Sequence, residues 1–280
     1  MSTLRYPIVL TIAGSDSGGG AGIQADLKTL SSLGIYAASA ITALTAQNTR
    51  GIHLIEPVSE AMLRAQIMSV LTDIRPDVIK IGMIGSLTSA RTVVDCLKYY
   101  PALPIVYDPV LAATDGSRLT DPEAIQFIRQ ELFPLCTLVT PNLPEAILLC
   151  GHPSSSFQTK DMQPLAAHLL RYGSRAILLK GGHLDGNAMT DLLLTDTGEH
   201  YQFTQERIQT RNLHGTGCTL SSAIAAFLAK GSSLPDAVRQ AKIYVGQAIL
   251  TGRDGNIGQG NGPLNHFSDP ETLRPFLYNE

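Results

Sequence analysis

The chain has 280 residues, 44% of them hydrophobic, and its 21 lysines and arginines nearly balance 24 aspartates and glutamates. The formal charge of -3 lacks the basic excess of a nucleic-acid-binding protein. No apolar run approaches the ~18 residues of a membrane-spanning helix, and the apolar stretch 8–13 is too short for a signal peptide. We therefore expect a soluble, cytoplasmic protein that binds neither nucleic acid nor membrane.

Short apolar runs rich in β-branched residues alternate with helical patterns along most of the chain. Strand and helix are predicted in turn at 8–13 and 21–33, 35–44 and 58–71, and 78–81 and 87–97, with further strands at 105–107, 138–140 and 176–179. This alternation indicates βαβ units on a largely parallel sheet. Because the strands are continuously apolar, we expect helices on both faces of the sheet.

The pattern changes near the C-terminal third of the chain. Residues 189–203 read as two strands around a turn at Gly198, which predicts an antiparallel hairpin at the sheet edge. Two helices follow, one at 218–230 and one that begins with a capping motif at 233–236. No repeat or long linker divides the chain, so we predict one domain over residues 1–280.

The four cysteines are widely spaced and form no C-x-x-C pattern, which disfavours a zinc site or a disulfide framework. Cys96, Cys136 and Cys150 have apolar neighbours and are expected to be small buried residues. Cys218 differs, because it lies in the first turn of a predicted helix. Helix N-termini lower the pKa of a thiol, so we expect Cys218 to be a reactive thiolate.

The glycine-rich segment 13–26 joins a predicted strand to a predicted helix. Within it, Gly20-x-Gly22-x-x-Ala25 formally matches the dinucleotide fingerprint, which raises a nicotinamide-dependent reductase as an alternative. That fingerprint requires an acidic residue about twenty positions further on, and 40–45 contains none. A turn without a ligand is a second alternative for this segment.

A second glycine-rich segment, 212–220, leads directly into the predicted helix at 218–230. Its glycines allow several backbone N–H groups to point at one spot, where the helix N-terminus adds about half a positive charge. The segment therefore predicts an anion hole formed by Gly215, Thr216, Gly217 and Cys218. The chain contains no G-x-x-x-x-G-K-[ST] pattern, so the phosphate site is not a P-loop.

Three segments together resemble the phosphomethylpyrimidine kinase family, a branch of the ribokinase-like superfamily. They are 13–26, the Gly-Thr-Gly-Cys motif at 215–218 and the Gly-x-Gly-x-Gly-Pro-Leu-Asn-His motif at 258–266. The resemblance spans nearly the whole chain and implies a ribokinase-like three-layer α/β/α sandwich, with a mostly parallel sheet and an antiparallel edge hairpin. In most ribokinase-like enzymes an aspartate base occupies the position of Cys218.

The activity implied by the resemblance is a thiamine-biosynthesis kinase reaction. Such an enzyme uses ATP and Mg²⁺ to phosphorylate 4-amino-5-hydroxymethyl-2-methylpyrimidine, then converts the monophosphate to the diphosphate. The resemblance also implies a homodimer. Cys218 would take the hydroxyl proton in the first step, and the second acceptor, already an anion, needs no base.

By the same resemblance, the pyrimidine pocket comprises Gly14, Asp26, Gln47, Met83 and Val110. The Gln47 amide can match an amino donor beside a ring-nitrogen acceptor, and the Asp26 carboxylate can accept a further hydrogen bond. Met83 would lie against the ring face, although a methionine of this kind can equally be a core residue.

The resemblance also implies that Asp108, Asn142, Glu145 and Lys180 bind the nucleotide. The Asp108 and Glu145 carboxylates suit Mg²⁺, while Lys180 supplies a positive charge for phosphate and joins 215–218 in the catalytic set. Without the resemblance, Asn142 and Glu145 would read as a helix N-cap with its N3 glutamate, and both roles can coexist.

Two alternative functions remain at this stage. A pyridoxal kinase would act on a hydroxymethyl group of a similar ring, and Gln47 distinguishes the two because pyridoxal offers it a phenolic oxygen instead of an amino group. A module that binds the pyrimidine without turnover is the other alternative, and the presence of Cys218, Asp108 and Glu145 argues against it.

Overall fold

The computed structural model describes residues 3–112, 119–151, 161–182 and 188–278. The strands are β1 Thr3–Arg5, β2 Ile8–Asp16, β3 Tyr36–Asn48, β4 Gly51–Pro57, β5 Val78–Ile81, β6 Ile105–Tyr107, β7 Leu138–Val139, β8 Ala176–Leu179, β9 Ala188–Thr195, β10 His200–Glu206 and β11 Phe276–Tyr278. The helices are α1 Gly22–Ser32, α2 Glu60–Ser69, α3 Leu87–Leu97, α4 Pro122–Phe127, α5 Leu143–Cys150, α6 Met162–Leu170, α7 Thr216–Ala229 and α8 Leu234–Gly252. The helices α2 and α4 each continue into a π-helical turn, Val70–Ile74 and Ile128–Leu132.

Nine of the described strands form one sheet in the order β10-β9-β8-β7-β6-β5-β2-β3-β4. The central strands β3, β2, β5, β6, β7 and β8 pair in parallel in this order. The strands β4, β9 and β10 pair antiparallel with their neighbours. The predicted edge hairpin is confirmed as β9 and β10. The chain runs outward from β2 in one direction and from β5 in the other, so the order reverses between these two strands. Open α/β sheets bind ligands at such a switch point, outside the carboxyl ends of the strands.

Helices cover both faces of this sheet, as the continuously apolar strands predict. Side chains alternate along a strand, so that Leu10 of β2 belongs to a core cluster with α2 to α6, whereas Val9 belongs to a cluster with α1, α7 and α8. The three-layer α/β/α sandwich is therefore confirmed. No helix within the described ranges is both long and apolar enough to cross a membrane.

Two features were absent from the sequence prediction. The strand predicted to end at residue 44 continues to Asn48 and pairs with β4, whose side chains are mostly exposed and carry no buried-face pattern. The second is a two-stranded sheet of β1 and β11, which joins the two ends of the chain. The β3–β4 extension matters for function, because its tip borders the candidate site.

Candidate active site

A cavity of about 350 Å³ lies at the carboxyl ends of the parallel strands, where the strand order reverses. Most predicted site residues line it: Gly14, Gln47, Met83, Asp108, Val110, Asn142, Glu145, Lys180, Gly215, Thr216, Gly217 and Cys218. Asp26 is absent from the lining. The parallel strands bring distant parts of the chain together here, because each strand ends at the same edge of the sheet.

The N-terminus of α7 forms one wall of the cavity. Its N-cap, Gly215, has a left-handed φ of 83° and no side chain caps the helix. The Thr216 N–H donates to the Leu213 carbonyl at 3.2 Å, so the N–H groups of Gly217 and Cys218 are the ones that remain for a bound anion. A side chain at Gly215 would overlap the carbonyl oxygen of Gly20. Glycine is therefore needed here both for its φ and for the close approach of the two glycine-rich segments.

Beside this wall, Lys180 lies between two carboxylates, and a Cβ at Gly217 would lie 3.4 Å from both Lys180 Nζ and Asp108 Oδ2. Its Nζ is 2.8 Å from Asp108 Oδ1 and 4.0 Å from Glu145 Oε2. The hydroxyl of Thr140 donates to the same Asp108 oxygen at 3.0 Å. These contacts fix a positive and two negative groups at one end of the cavity, which is the charge pattern needed for a phosphate tail and a divalent cation.

The predicted N-cap role of Asn142 and Glu145 is confirmed. Asn142 accepts from the Glu145 N–H at 2.9 Å, and Glu145 accepts from the Asn142 N–H at 2.7 Å, which is a complete capping box at the start of α5. The cap holds the Glu145 carboxylate at the cavity wall.

The two carboxyl groups titrate differently. Burial disfavours ionisation of Asp108, but the charges of Lys180 and Lys80 outweigh it and lower its pKa. Burial of Glu145 raises its pKa to about 7 although Lys180 opposes the shift. Lys180 itself stays protonated, because Asp108 and Glu145 overcome its burial and raise its pKa.

The described residues contain no cluster of three or more His, Cys, Asp or Glu side chains that could hold a metal. Asp108 and Glu145 nevertheless fit Mg²⁺, which keeps several waters and binds through one or two carboxylates together with substrate phosphates. The pair alone would be a weak site, so binding of the cation is expected to depend on the nucleotide.

The expectation of a lowered Cys218 pKa is wrong. The residue is half-buried and lines the cavity, but burial raises its pKa to about 11, although the Lys80 charge and the Gly22 N–H act in the opposite direction. The helix N-terminus does not compensate for the lost hydration of a thiolate. Cys218 is therefore a thiol at neutral pH in the ligand-free protein.

Asp26 lies below the cavity and not on its wall. It is fully buried, and its carboxylate accepts from Lys80, Thr11 and Ser222. Direct contact with a pyrimidine would require this network to break. The family resemblance placed Asp26 in the pyrimidine pocket, but its position four residues into α1 turns it towards the core.

Sequence reasoning missed a second carboxylate, Asp16. It accepts from the N–H groups of Gly18, Gly20 and Ala21 at 2.8, 3.0 and 2.8 Å. Those N–H groups are therefore occupied and cannot hold a pyrophosphate, which argues against the dinucleotide alternative. An aspartate just before a glycine run is the usual signal of such a turn.

Asp16 is also linked through a histidine to Gln47, the residue predicted to bind the pyrimidine. His214 Nε2 lies 3.1 Å from Asp16 Oδ2 and 3.2 Å from Gln47 Nε2. One ring nitrogen thus contacts both groups, which places the Gln47 amide at the cavity. Met83 lies close to Gly14, where an added side chain would collide with the Met83 methyl group.

The C-terminal glycine motif supports this wall from behind. His214 donates its backbone N–H to Gly262 at 3.1 Å. A side chain at Gly260 would collide with the carbonyl of Thr49 at the tip of the β3–β4 hairpin. The motif therefore holds 212–217 and the hairpin tip together, and its glycines allow the close approach.

An uncapped helix N-terminus facing a lysine–carboxylate group, with a recognition amide at the other end of one cavity, defines a small-molecule kinase site on a ribokinase-like fold. The comparisons agree with this class. A family model described as phosphomethylpyrimidine kinase matches residues 16–265. The chain belongs to the phosphomethylpyrimidine kinase family.

Individual relatives cover almost all of the chain. It is 48% identical over 260 residues to a hydroxymethylpyrimidine/phosphomethylpyrimidine kinase of Rhizobium meliloti, covering 93% of this chain and 97% of that protein. The crystal structure of phosphomethylpyrimidine kinase from Clostridium difficile matches with a TM-score of 0.76 at 41% identity, over 86% of this chain and 99% of that one. Pyridoxal kinase from Staphylococcus aureus in complex with ADP matches with a TM-score of 0.87 at 33% identity, over 98% of each chain.

Proposed function

We propose that this chain transfers the γ-phosphoryl group of ATP to the hydroxymethyl group of 4-amino-5-hydroxymethyl-2-methylpyrimidine, and then a second one to the monophosphate, in thiamine biosynthesis. One observation carries the proposal: the open N-terminus of α7, Cys218 and Gln47 all face one cavity, and Lys180 lies beside Gly217 in the first turn of α7. The relative from Rhizobium meliloti, 48% identical, bears the name of this activity.

In the first transfer, Cys218 acts as the thiolate. It accepts the proton of the substrate hydroxyl while that oxygen attacks the γ-phosphorus and ADP leaves. The N–H groups of Gly217 and Cys218 and the Lys180 ammonium stabilise the negative charge on the moving phosphoryl group. Because the resting thiol has a raised pKa, only a small thiolate fraction carries this step at neutral pH.

In the second transfer, the acceptor is an oxygen of the monophosphate, which is already ionised at neutral pH. This step needs the phosphate-binding groups but no base. Asp108 and Glu145 would hold Mg²⁺, which supplies charge neutralisation on the nucleotide phosphates when bound. Asn142 contributes by keeping Glu145 in place.

Recognition of the pyrimidine rests on the Gln47 amide, with Gly14, Met83 and Val110 shaping the space around the ring. Met83 is 8% exposed and has the apolar surface to pack against a ring face. Asp26 contributes from beneath the cavity and does not touch the substrate.

Pyridoxal kinase is the second candidate, favoured by the close structural match to the enzyme from Staphylococcus aureus. The Gln47 amide matches an aminopyrimidine better than a phenolic oxygen, a difference of a few kcal/mol at most. Coupled ADP release with ATP and Mg²⁺ tests this, using the aminopyrimidine alcohol, its monophosphate, pyridoxal and pyridoxine as acceptors. We expect the first two to be preferred; higher kcat/KM for the B6 vitamers would overturn the assignment.

We also propose that residues 1–280 act as one kinase domain that forms a homodimer through the β3–β4 hairpin. In the register of this hairpin, Leu44 and Leu54 lie on the same face, and they are 50% and 64% exposed. The other face carries Thr45 and Ile52, which line the cavity. A partner on the exposed face would cover these leucines and fix the hairpin that borders the site.

The unpaired state of the cysteines supports a cytoplasmic location. All four are free thiols, and Cys96 and Cys136 are buried. Unpaired cysteines are typical of reducing compartments.

A further inference from the structure

A buried ion pair that plays no direct part in the proposed transfer lies beneath the cavity. Lys80 Nζ is 2.8 Å from both carboxylate oxygens of Asp26, and neither side chain is exposed. Thr11 donates to one of these oxygens at 2.6 Å and Ser222 to the other at 2.8 Å. Buried ion pairs contribute little net stability, because desolvation offsets their attraction. The fold alone gives no strong reason for this pair.

The pair is bonded to α7 one turn after Cys218. Ser222 follows Cys218 by four residues on α7, so both side chains lie on one helix face, one turn apart. Asp26 follows Gly22 by four residues on α1. The Gly22 N–H favours the Cys218 thiolate, and Ser222 donates to Asp26 one turn below. The Ser222–Asp26 hydrogen bond therefore joins α7 to α1 one turn below Cys218.

The ammonium end of the pair points to the cavity floor. A Cβ at Gly82 would lie 2.9 Å from Lys80 Nζ and 3.0 Å from the Cβ of Ala13. Ala13 and Met83, the neighbour of Gly82, both line the cavity. The missing side chain of Gly82 thus lets the ammonium approach the floor closely. In keeping with this, the charge of Lys80 acts on Cys218 more strongly than that of Asp26.

We propose that Asp26 and Lys80 are positioning residues for Cys218: Asp26 ties α1 to α7 through Ser222 and holds the Lys80 ammonium under the sulfur, where it stabilises the thiolate. The inference rests on the proposed role of Cys218 as the base. The thiol first loses its proton to solvent, and the thiolate then accepts the substrate's hydroxyl proton. Lys80 remains protonated throughout and exchanges no proton with the substrate.

Other charged groups act on the same sulfur or line the same cavity, and they stay unchanged in the test. Asp108 disfavours the Cys218 thiolate, and Lys180 interacts favourably with it. Glu145 and the linked Asp16 and His214 line other parts of the cavity wall.

The test is the pH dependence of Cys218 alkylation by iodoacetamide in the full-length protein without nucleotide, followed on the Cys218 peptide by mass spectrometry. For Lys80→Met we expect the apparent pKa of Cys218 to rise by at least one unit, which lowers the alkylation rate about tenfold at a fixed pH below it. Asp26→Asn keeps an amide oxygen that still accepts from Lys80 and holds it in place but removes the counter-charge, so here we expect the Cys218 pKa to fall. Shifts in the same direction, or none, would overturn the proposal, because simple loosening cannot produce opposite signs.

Lys242→Met is the matched control. Lys242 and Asp191 form a second buried pair, 2.5 Å apart and each 8% exposed, and neither lines the cavity. We expect a loss of thermal stability without a change in the Cys218 profile. An equal shift of the Cys218 pKa in this variant would mean that any buried charge defect alters Cys218, which would contradict the proposal.

A double variant covers the case in which Lys80→Met does not fold. Asp26→Leu/Lys80→Met leaves no unpaired charge and should still raise the Cys218 pKa. An unchanged value would refute the proposal.

Kinetics supply a second readout. In Lys80→Met the first phosphorylation should fall about as much as alkylation, at least tenfold, while the second, which needs no base, changes less. Equal losses in both steps would contradict a role through Cys218. The alkylation result needs no substrate, so an inactive wild-type chain would remove the proposed function without deciding whether Lys80 acts on the sulfur.

Discussion

Two effects act on the pKa of Cys218 in opposite directions. The residue lies at the N-terminus of α7, where the Gly22 N–H favours its thiolate, yet burial raises its pKa to about 11. The usual helix effect is worth up to ~2 kcal/mol, which is less than the loss of hydration in this position. The thiolate of Cys218 is therefore a strong base that is present in only a small fraction of molecules at neutral pH. Its role can be separated from that of the phosphate-binding groups.

Substitution of Cys218 by alanine should affect the two phosphorylations unequally. The first acceptor is an alcohol that needs a base, so its kcat should fall by about 10²–10⁴-fold, the usual contribution of general base catalysis. The second acceptor is an anion, and its rate should change less than tenfold. Separate steady-state assays on the alcohol and the monophosphate measure this, and equal losses would mean that Cys218 does not act as the base.

The pH dependence of the two steps should also differ. Below a thiol pKa of about 11 the thiolate fraction grows tenfold with each pH unit, so log kcat/KM for the alcohol should rise with a slope near one from about pH 7.5 to 9.5. The monophosphate step should level off above pH 7.5. Both should decline below pH 7, where Glu145, with its pKa raised to about 7, becomes protonated and loses its affinity for a cation. Parallel profiles above pH 7.5 would contradict this assignment.

At the scale of the element, the first turn of α7 depends on the glycine that begins it. Gly215 has a φ of 83° and packs against the Gly20 carbonyl, whereas Gly231, just past the end of the same helix, has a φ of 86° and no atom within 4 Å of an added Cβ. Both positions have a left-handed φ that would strain an alanine, and they differ in the atoms that an added Cβ would meet.

Gly215→Ala should lower the free energy of unfolding by clearly more than the ~1–2 kcal/mol that left-handed strain alone explains. It should also raise the KM for ATP, because the overlap with Gly20 displaces the first-turn N–H groups. Gly231→Ala is the control, with the strain penalty alone and an unchanged KM. Denaturant titration and ATP kinetics measure both; similar effects in the two variants would show that the close approach is unimportant.

The elements best predicted from sequence were those with a buried face. The prediction of 87–97 for α3 matches its observed bounds, and the hairpin of β9 and β10 was found from its central turn. The exposed strand β4 was missed because it carries no buried alternation. Lys80 was overlooked although a lysine inside the apolar strand Val78–Ile81 is a clear signal of a buried charge. The pairing of Lys80 with Asp26 could not be recognised from the sequence, because the two residues are 54 positions apart.

At the scale of the molecule, the site is assembled where βαβ units diverge from β2 and β5, and its border extends onto the β3–β4 hairpin. The motifs at 13–26 and 215–218 were sufficient to locate the cavity. The direction of the Cys218 pKa shift could not be predicted, because it depends on burial between two helices that the sequence alone does not describe.

The proposed homodimer gives a prediction at this scale. Leu54→Glu places a charge on the exposed face of the hairpin and should convert the dimer to a monomer and reduce activity, since the hairpin tip borders the cavity. Tyr99→Glu, at a 74% exposed residue on another part of the surface, should leave the dimer intact. Sedimentation velocity distinguishes the two; a monomeric wild-type chain, or a Leu54→Glu dimer, would remove the proposed interface.

The most direct test of the central claim is product analysis with the purified chain, ATP, Mg²⁺ and the aminopyrimidine alcohol, followed in time by mass spectrometry. The account predicts that the monophosphate appears first and is then converted to the diphosphate, with one ADP released for each phosphate added. Release of ADP without a phosphorylated pyrimidine, or a monophosphate that accumulates without further conversion, would contradict it.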